Sequence, residues 1–137
     1  MPFPIEKKLV IAVASSALFD LSESDRVFNE EGPAAYKKFQ EEHLDTVLKK
    51  GVAFPFIRRF LAFNQHFPEE TPVEVVLLSR NSTATGRRVF RSIAHYGLDI
   101  SRAAFTGGAS PFRYIPAFNS SLFLSSNEED VRSAVAA

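Results

Sequence analysis

The sequence has no cysteine, no tryptophan and a single methionine. Without thiols, disulfide bonds and thiolate metal sites are excluded. An excess of one charge sign is also missing: 16 Lys and Arg stand against 16 Asp and Glu, and no block of like charge exceeds three residues. That argues against a nucleic-acid partner, because binding to a phosphate backbone draws on a cationic surface. No apolar run approaches the ~18 residues that a membrane span requires, so no membrane partner is expected. The opening residues Met1, Pro2, Phe3 and Pro4 lack the charge and the apolar core of a signal peptide, which makes the cytoplasm the expected location. What is abundant is phenylalanine, 14 of 137 residues, more than one small core obviously needs.

The chain reads as a single domain over residues 1–137 in which strands alternate with helices. Residues 9–13 (LVIAV) are continuously apolar and β-branched, as in a strand buried on both faces. Residues 25–50 have a helical pattern divided by Gly32 and Pro33, the proline suiting a first helical turn, and Gly51 closes it. Residues 54–67 repeat Phe56, Phe60, Leu61, Phe63 and Phe67 near helical spacing, with Arg58 and Arg59 opposite. A second strand covers 73–78, and a helix from about 84 to 96 is stopped by Gly97. Further strands are expected near 102–105 and 122–124, with a last helix from about Asn127. Four strands joined by helices imply an α/β fold, a three-layer Rossmann-like parallel sheet.

Polar residues collect at the strand ends: Ser15 with Ser16, Ser79 with Arg80 and Asn81, Ser125 with Ser126, and the turn Thr106, Gly107 and Gly108. In an open α/β sheet, ligands bind at that edge. Hydroxyls, the free amides of a helix start near Ser82 and the Gly107-Gly108 turn could hold a phosphate there. The same residues also serve as ordinary helix caps and turns, so this reading stands beside a purely structural one.

The segments AVASSALFDLSESDRVFNEEGPAAYKKFQ, VAFPF, VVLLSRNSTATGRRVFRSIAHYGLDISRAAFTGGASP and LFLSSNEEDVRSA resemble, from about residue 9 to the end, the amino-terminal half of the cytosolic 5'-nucleotidase family. SRNS, HYGLDI, AFTGG and FLS carry the resemblance together. It implies a haloacid-dehalogenase-like (HAD-like) sheet of strand order 4-1-2-3 and the activity of a magnesium-dependent phosphohydrolase acting on nucleoside monophosphates. The family resembles an internal duplication whose second half carries the catalytic groups. Laid on this chain, its nucleophile position falls on Val13 and its acid/base on Ser15, while Ser79 keeps the phosphate-binding hydroxyl. Its lysines fall on Pro111 and Pro116, and its magnesium-binding aspartate pair on Ser125 and Ser126.

An aspartyl-phosphate mechanism needs a carboxylate nucleophile and an anionic cage for Mg2+. Valine supplies neither, and no histidine lies near Ser15 or Ser16 in sequence. One carboxylate could restore activity. If the first strand ran on to Phe19, FDLSES would imitate the HAD opening with Asp20 as nucleophile, but Ser15 and Ser16 would then be buried within the sheet. Two functions follow. One is a degenerate half without a metal site that binds phosphate or a nucleoside monophosphate through Ser15, Ser79, Arg80, Asn81, Gly107 and Gly108, and pairs with a catalytic half or as a homodimer. The other is an active nucleotidase using Asp20 and Mg2+.

Overall fold

An apolar run with no polar alternation must be covered on both faces, and β1 (Leu9–Val13) meets that condition. Val10, Ile11, Ala12 and Val13 are fully buried, and only Leu9 at the start reaches solvent. The computed structural model describes residues 8–80, 83–100, 102–107, 114–118, 120–127, 131–133 and 135. In it β1 lies between two parallel neighbours, β4 (Val73–Ser79) and β6 (Ser120–Leu124), and β5 (Arg102–Phe105) adds beyond β4. The order β5-β4-β1-β6 is the one expected, read from the opposite edge, with Ile11 paired to Val75.

Side chains alternate across the sheet and divide its packing in two. Ile11, Val13, Val75 and Leu77 face Phe54 and Ile57 of α4 (Phe54–Phe63) and Val89 and Ile93 of α5 (Thr83–His95). Val10, Ala12, Val76 and Leu78 face the other way, against Ile115 of α6 (Tyr114–Ala117), Phe118 and Phe123. Helices on both faces of a parallel sheet give the three-layer, Rossmann-like α/β architecture. The helices joining β1 to β4 and β4 to β5 lie on the first face and α6, joining β5 to β6, on the second. The strand order therefore reverses between β1 and β6.

Beyond β1 the chain makes a single helical turn, α1 (Ser15–Leu18), and then the short strand β2 (Phe19–Asp20). β2 pairs antiparallel with β3 (Lys49–Lys50), and the pairing is continued by Gly51 N–H to Leu18 O at 2.9 Å and Ala53 N–H to Ala17 O at 2.9 Å. Gly51 is required by this approach: a Cβ there would lie 2.5 Å from Ala17 O and 2.8 Å from Phe19 N. The helical pattern of residues 25–50 is realised as α2 (Ser22–Glu31) and α3 (Pro33–Glu42), divided at Gly32 with φ +90°. It stops at Glu42 and not at residue 50, because Lys49 and Lys50 are drawn into pairing with β2, and Thr46 and Val47 resist helix. Likewise α4 ends at Phe63, followed by a 3₁₀ turn at Asn64–His66. There Asn64 donates its amide to Val73 O at 2.8 Å and accepts from Val73 N–H at 2.9 Å, fixing the start of β4.

A buried cation joins the outer helices to α5. Arg88 is 5% exposed, and its guanidinium donates to Thr46 O at 3.0 Å, Gln40 Oε1 at 2.9 Å and Ser24 Oγ at 3.4 Å. Burial pushes its pKa down, partly offset by Glu23. Tyr36 bonds Thr85 in the same layer.

Candidate functional site

The parallel sheet brings the hydroxyl-bearing strand ends to one edge. Ser15 opens α1 just after β1, Ser79 closes β4, and their Oγ atoms lie 2.6 Å apart, both buried. Across the reversal between β1 and β6, Ser126 donates its hydroxyl to Ser16 at 2.7 Å in an exposed contact. Thr106, directly after β5, donates its N–H at 2.9 Å and its hydroxyl at 3.3 Å to Ser79 O. Asn127 N–H donates to Ser125 Oγ at 3.0 Å, and Ala14 N–H to Leu124 O at 2.8 Å. Of the residues expected to hold phosphate, Ser15, Ser79, half-buried Arg80 and exposed Gly107 (φ +63°) fall at this edge. Asn81 and Gly108 lie outside the described residues. Ser16, Ser126 and Thr106 stood among the strand-end polar residues of the sequence but not in the named phosphate-binding set. Their signal was position, since Thr106 is the first residue past β5, Ser126 the second past β6, and Ser16 follows Ser15, the second past β1, while Ser79 is the last residue of β4.

The serine and threonine donors at this edge are neutral, and Arg80 is cationic. Among the described residues no group of three His, Cys, Asp or Glu side chains could hold a metal ion. Magnesium is bound by oxygen ligands that include one or two carboxylates, and Ser15, Ser125 and Ser126 offer only hydroxyls, so these residues do not fit it. Val13, where the resemblance puts the nucleophile position, is wholly buried. Pro116 is exposed on α6, and Pro111 lies outside the described residues.

Asp20 is placed elsewhere. β1 ends at Val13 and α1 intervenes, so Asp20 sits exposed on β2, opposite Lys49. Its Oδ1 accepts the Ser22 N–H at 3.0 Å, which satisfies one of the free amides at the start of α2. Hydrogen bonds from Ser22, with Lys49 adding, hold the Asp20 carboxyl below its ordinary range. Asp25, one turn on, is pushed the other way by burial and by Asp20. The histidines give no base to the serines: His43 bonds Phe39 O through Nδ1 at 2.8 Å, His66 lies in the 3₁₀ turn and His95 in the last turn of α5.

The 5'-nucleotidase family profile matches residues 1–137. Cytosolic 5'-nucleotidase 1B of Homo sapiens is 30% identical over 141 residues, which is 98% of this chain and 23% of that protein. The chain thus spans under a quarter of that relative's length. No solved structure matches the chain significantly. A profile match along the whole chain and this degree of identity agree with the hydroxyl-lined strand ends: the chain belongs to the 5'-nucleotidase family.

Proposed function

We propose that this chain is a HAD-like domain that binds the phosphate of a nucleoside monophosphate and has little hydrolytic activity of its own. It works beside a catalytic half or as a homodimer. The observation that carries the reading is the strand-end edge itself, where hydroxyls stand in place of carboxylates. A phosphate can accept hydrogen bonds from serine and threonine hydroxyls, with Arg80 alongside. In-line attack needs an ionised carboxylate or a hydroxyl activated by a base. Val13 supplies no nucleophile, and Ser15 is hydrogen-bonded to Ser79 with no histidine beside it. Isothermal titration with inorganic phosphate, alongside a phosphatase assay on nucleoside monophosphates with and without Mg2+, tests both parts. Phosphate should bind, and turnover should stay far below the order of one per second typical of enzymes.

The rival reading makes Asp20 the nucleophile, and the exposure and ionisation of that carboxylate favour it. Its use as acceptor for Ser22 opposes it. Magnesium-dependent turnover that disappears in Asp20→Asn would establish the rival and remove the proposal of an inactive domain.

Self-association is supported by the aromatic surface. Phe28, Phe56, Phe63, Phe67 and Phe90 are each more than a third exposed, whereas Phe60 is half-buried against the core. Phe63 and Phe67, with ring centroids 5.4 Å apart, form one outward patch past the end of α4. Light scattering across a dilution series should give a mass above one chain that falls in Phe63→Glu. A one-chain mass throughout would leave the partner half as the remaining form of the proposal.

A further inference from the structure

We infer that the groove between β6 and the start of α4 receives the planar ring of the same organic phosphate, holding it by stacking and not by reading its hydrogen-bonding edge. The inference rests on the phosphate reading above and names what the rest of the ligand meets. The groove has a volume of about 470 Å³ and is lined by Ala17, Val52, Phe56, Phe123, Leu124 and Ser125, among others. That is within the range of small-molecule sites, which favour apolar and aromatic walls with few polar groups.

Its place in the fold is what ties it to the hydroxyls. It opens at the carboxyl ends of β1 and β6, where the strand order reverses, the position at which open α/β sheets bind ligands. Ser125 belongs to the groove and is next to Ser126, which bonds Ser16. Because Ser125 Oγ accepts the Asn127 N–H, its own proton remains to be donated. A ligand with its phosphate on these serines therefore has its organic portion led along the wall formed by Phe123 and Phe56.

Among the described residues the wall is apolar apart from Ser125. Val52 is 91% exposed and Phe56 39% exposed, so both lose water when a flat ring covers them. Rejecting one base in favour of another requires polar groups that are left unpaired by the wrong one. Among the described residues no other polar side chain lines the groove. Purine and pyrimidine rings, and a simple aryl ring, should therefore be accepted alike.

Titration of the full chain with inorganic phosphate, ribose 5-phosphate, AMP, UMP and phenyl phosphate tests this. The three ring-bearing ligands should bind on the order of tenfold more tightly than phosphate or ribose 5-phosphate, as one stacked ring provides. Phe56→Ala should abolish that gain and leave phosphate affinity unchanged. Phe56→Leu, which keeps bulk without a ring, guards against a folding defect and should also lose most of the gain. If ribose 5-phosphate binds as tightly as AMP, the groove is not the ring subsite, although the phosphate reading survives. If inorganic phosphate itself does not bind, that reading fails and takes this one with it. A clear preference for AMP over UMP would overturn recognition by stacking alone. A drop in light-scattering mass on Phe56→Ala would assign the groove to a second copy of the chain and overturn the inference.

Discussion

Two pairs of serine hydroxyls bridge the strand ends at nearly equal lengths, Ser15 with Ser79 at 2.6 Å and Ser16 with Ser126 at 2.7 Å, yet one pair is buried and the other exposed. The buried pair is a structural bond. It joins the ends of β1 and β4, and its hydroxyls are shielded from exchange with water. The exposed pair is chemically identical but competes with solvent at every moment, so a phosphate oxygen can replace either partner at small cost. Adjacent serines in sequence thus divide between holding the crevice and facing it, because α1 turns one hydroxyl inward and the next outward.

That division depends on α1 being fixed, and the strongest way to break it is Gly51→Ala. The new Cβ would have to displace backbone on both sides of Leu18, opening the β2–β3 pairing. A loss of about 3 kcal/mol is expected, read from the urea midpoint. A loss under about 1 kcal/mol, small for overpacking, would mean that the pairing does not hold α1.

Ser79→Ala comes next. It should cost about 1 kcal/mol, the net worth of one hydrogen bond. In a double-mutant cycle with Ser15→Ala the two effects should be non-additive, as for residues in direct contact. Ser126→Ala sharpens the contrast from the other side. Its stability should stay within about 0.5 kcal/mol of the parent, while phosphate affinity falls by about threefold. If Ser126→Ala instead destabilises as much as Ser79→Ala, burial is not what separates the pairs.

The smallest effect expected is a pH dependence at the exposed end of the same segment. The folded pKa of Asp20 is depressed, so its contribution is complete above the unfolded value near 4 and is lost as pH falls through the lower folded value. Asp25 has the opposite sign: with its folded pKa raised, its ionisation slightly disfavours the fold as pH rises through the carboxylate range. Asp20→Asn should therefore flatten the acid limb of a stability–pH curve, and Asp25→Asn should raise the neutral plateau by a few tenths of a kcal/mol at most.

The sheet was legible because its signals are local. Leu9 to Val13 and Val73 to Ser79 are runs that only a doubly covered strand accommodates, and Gly97 and Gly32 sit at positive φ where helices stop. The serines at the strand ends were visible for the same reason. The end of α3 was not, because Lys49 and Lys50 look helical until β2 lies beside them. The inward or outward sense of Ser15 and Ser16 also escaped, since both follow one strand and only the three-dimensional course of α1 distinguishes them. Arg88 was hidden among Arg87 and Arg91, which are exposed, and nothing in RRVFR tells which arginine points inward.

That arginine bears on the uniqueness of the fold more than on its depth. Its planar fork serves acceptors on α2, on α3 and in the segment before β3, all neutral, and Glu23 offsets only part of the removal of its charge from water. Were α5 to shift so that Val89 took its place, the three acceptors would lose their donor together. A competing arrangement of the same helices thus meets several unmet polar groups at once, and a lysine, with one point of charge and no fork, could not enforce the same choice. Arg88 acts as a key to the correct alignment, excluding near-native packings that hydrophobic burial alone would tolerate.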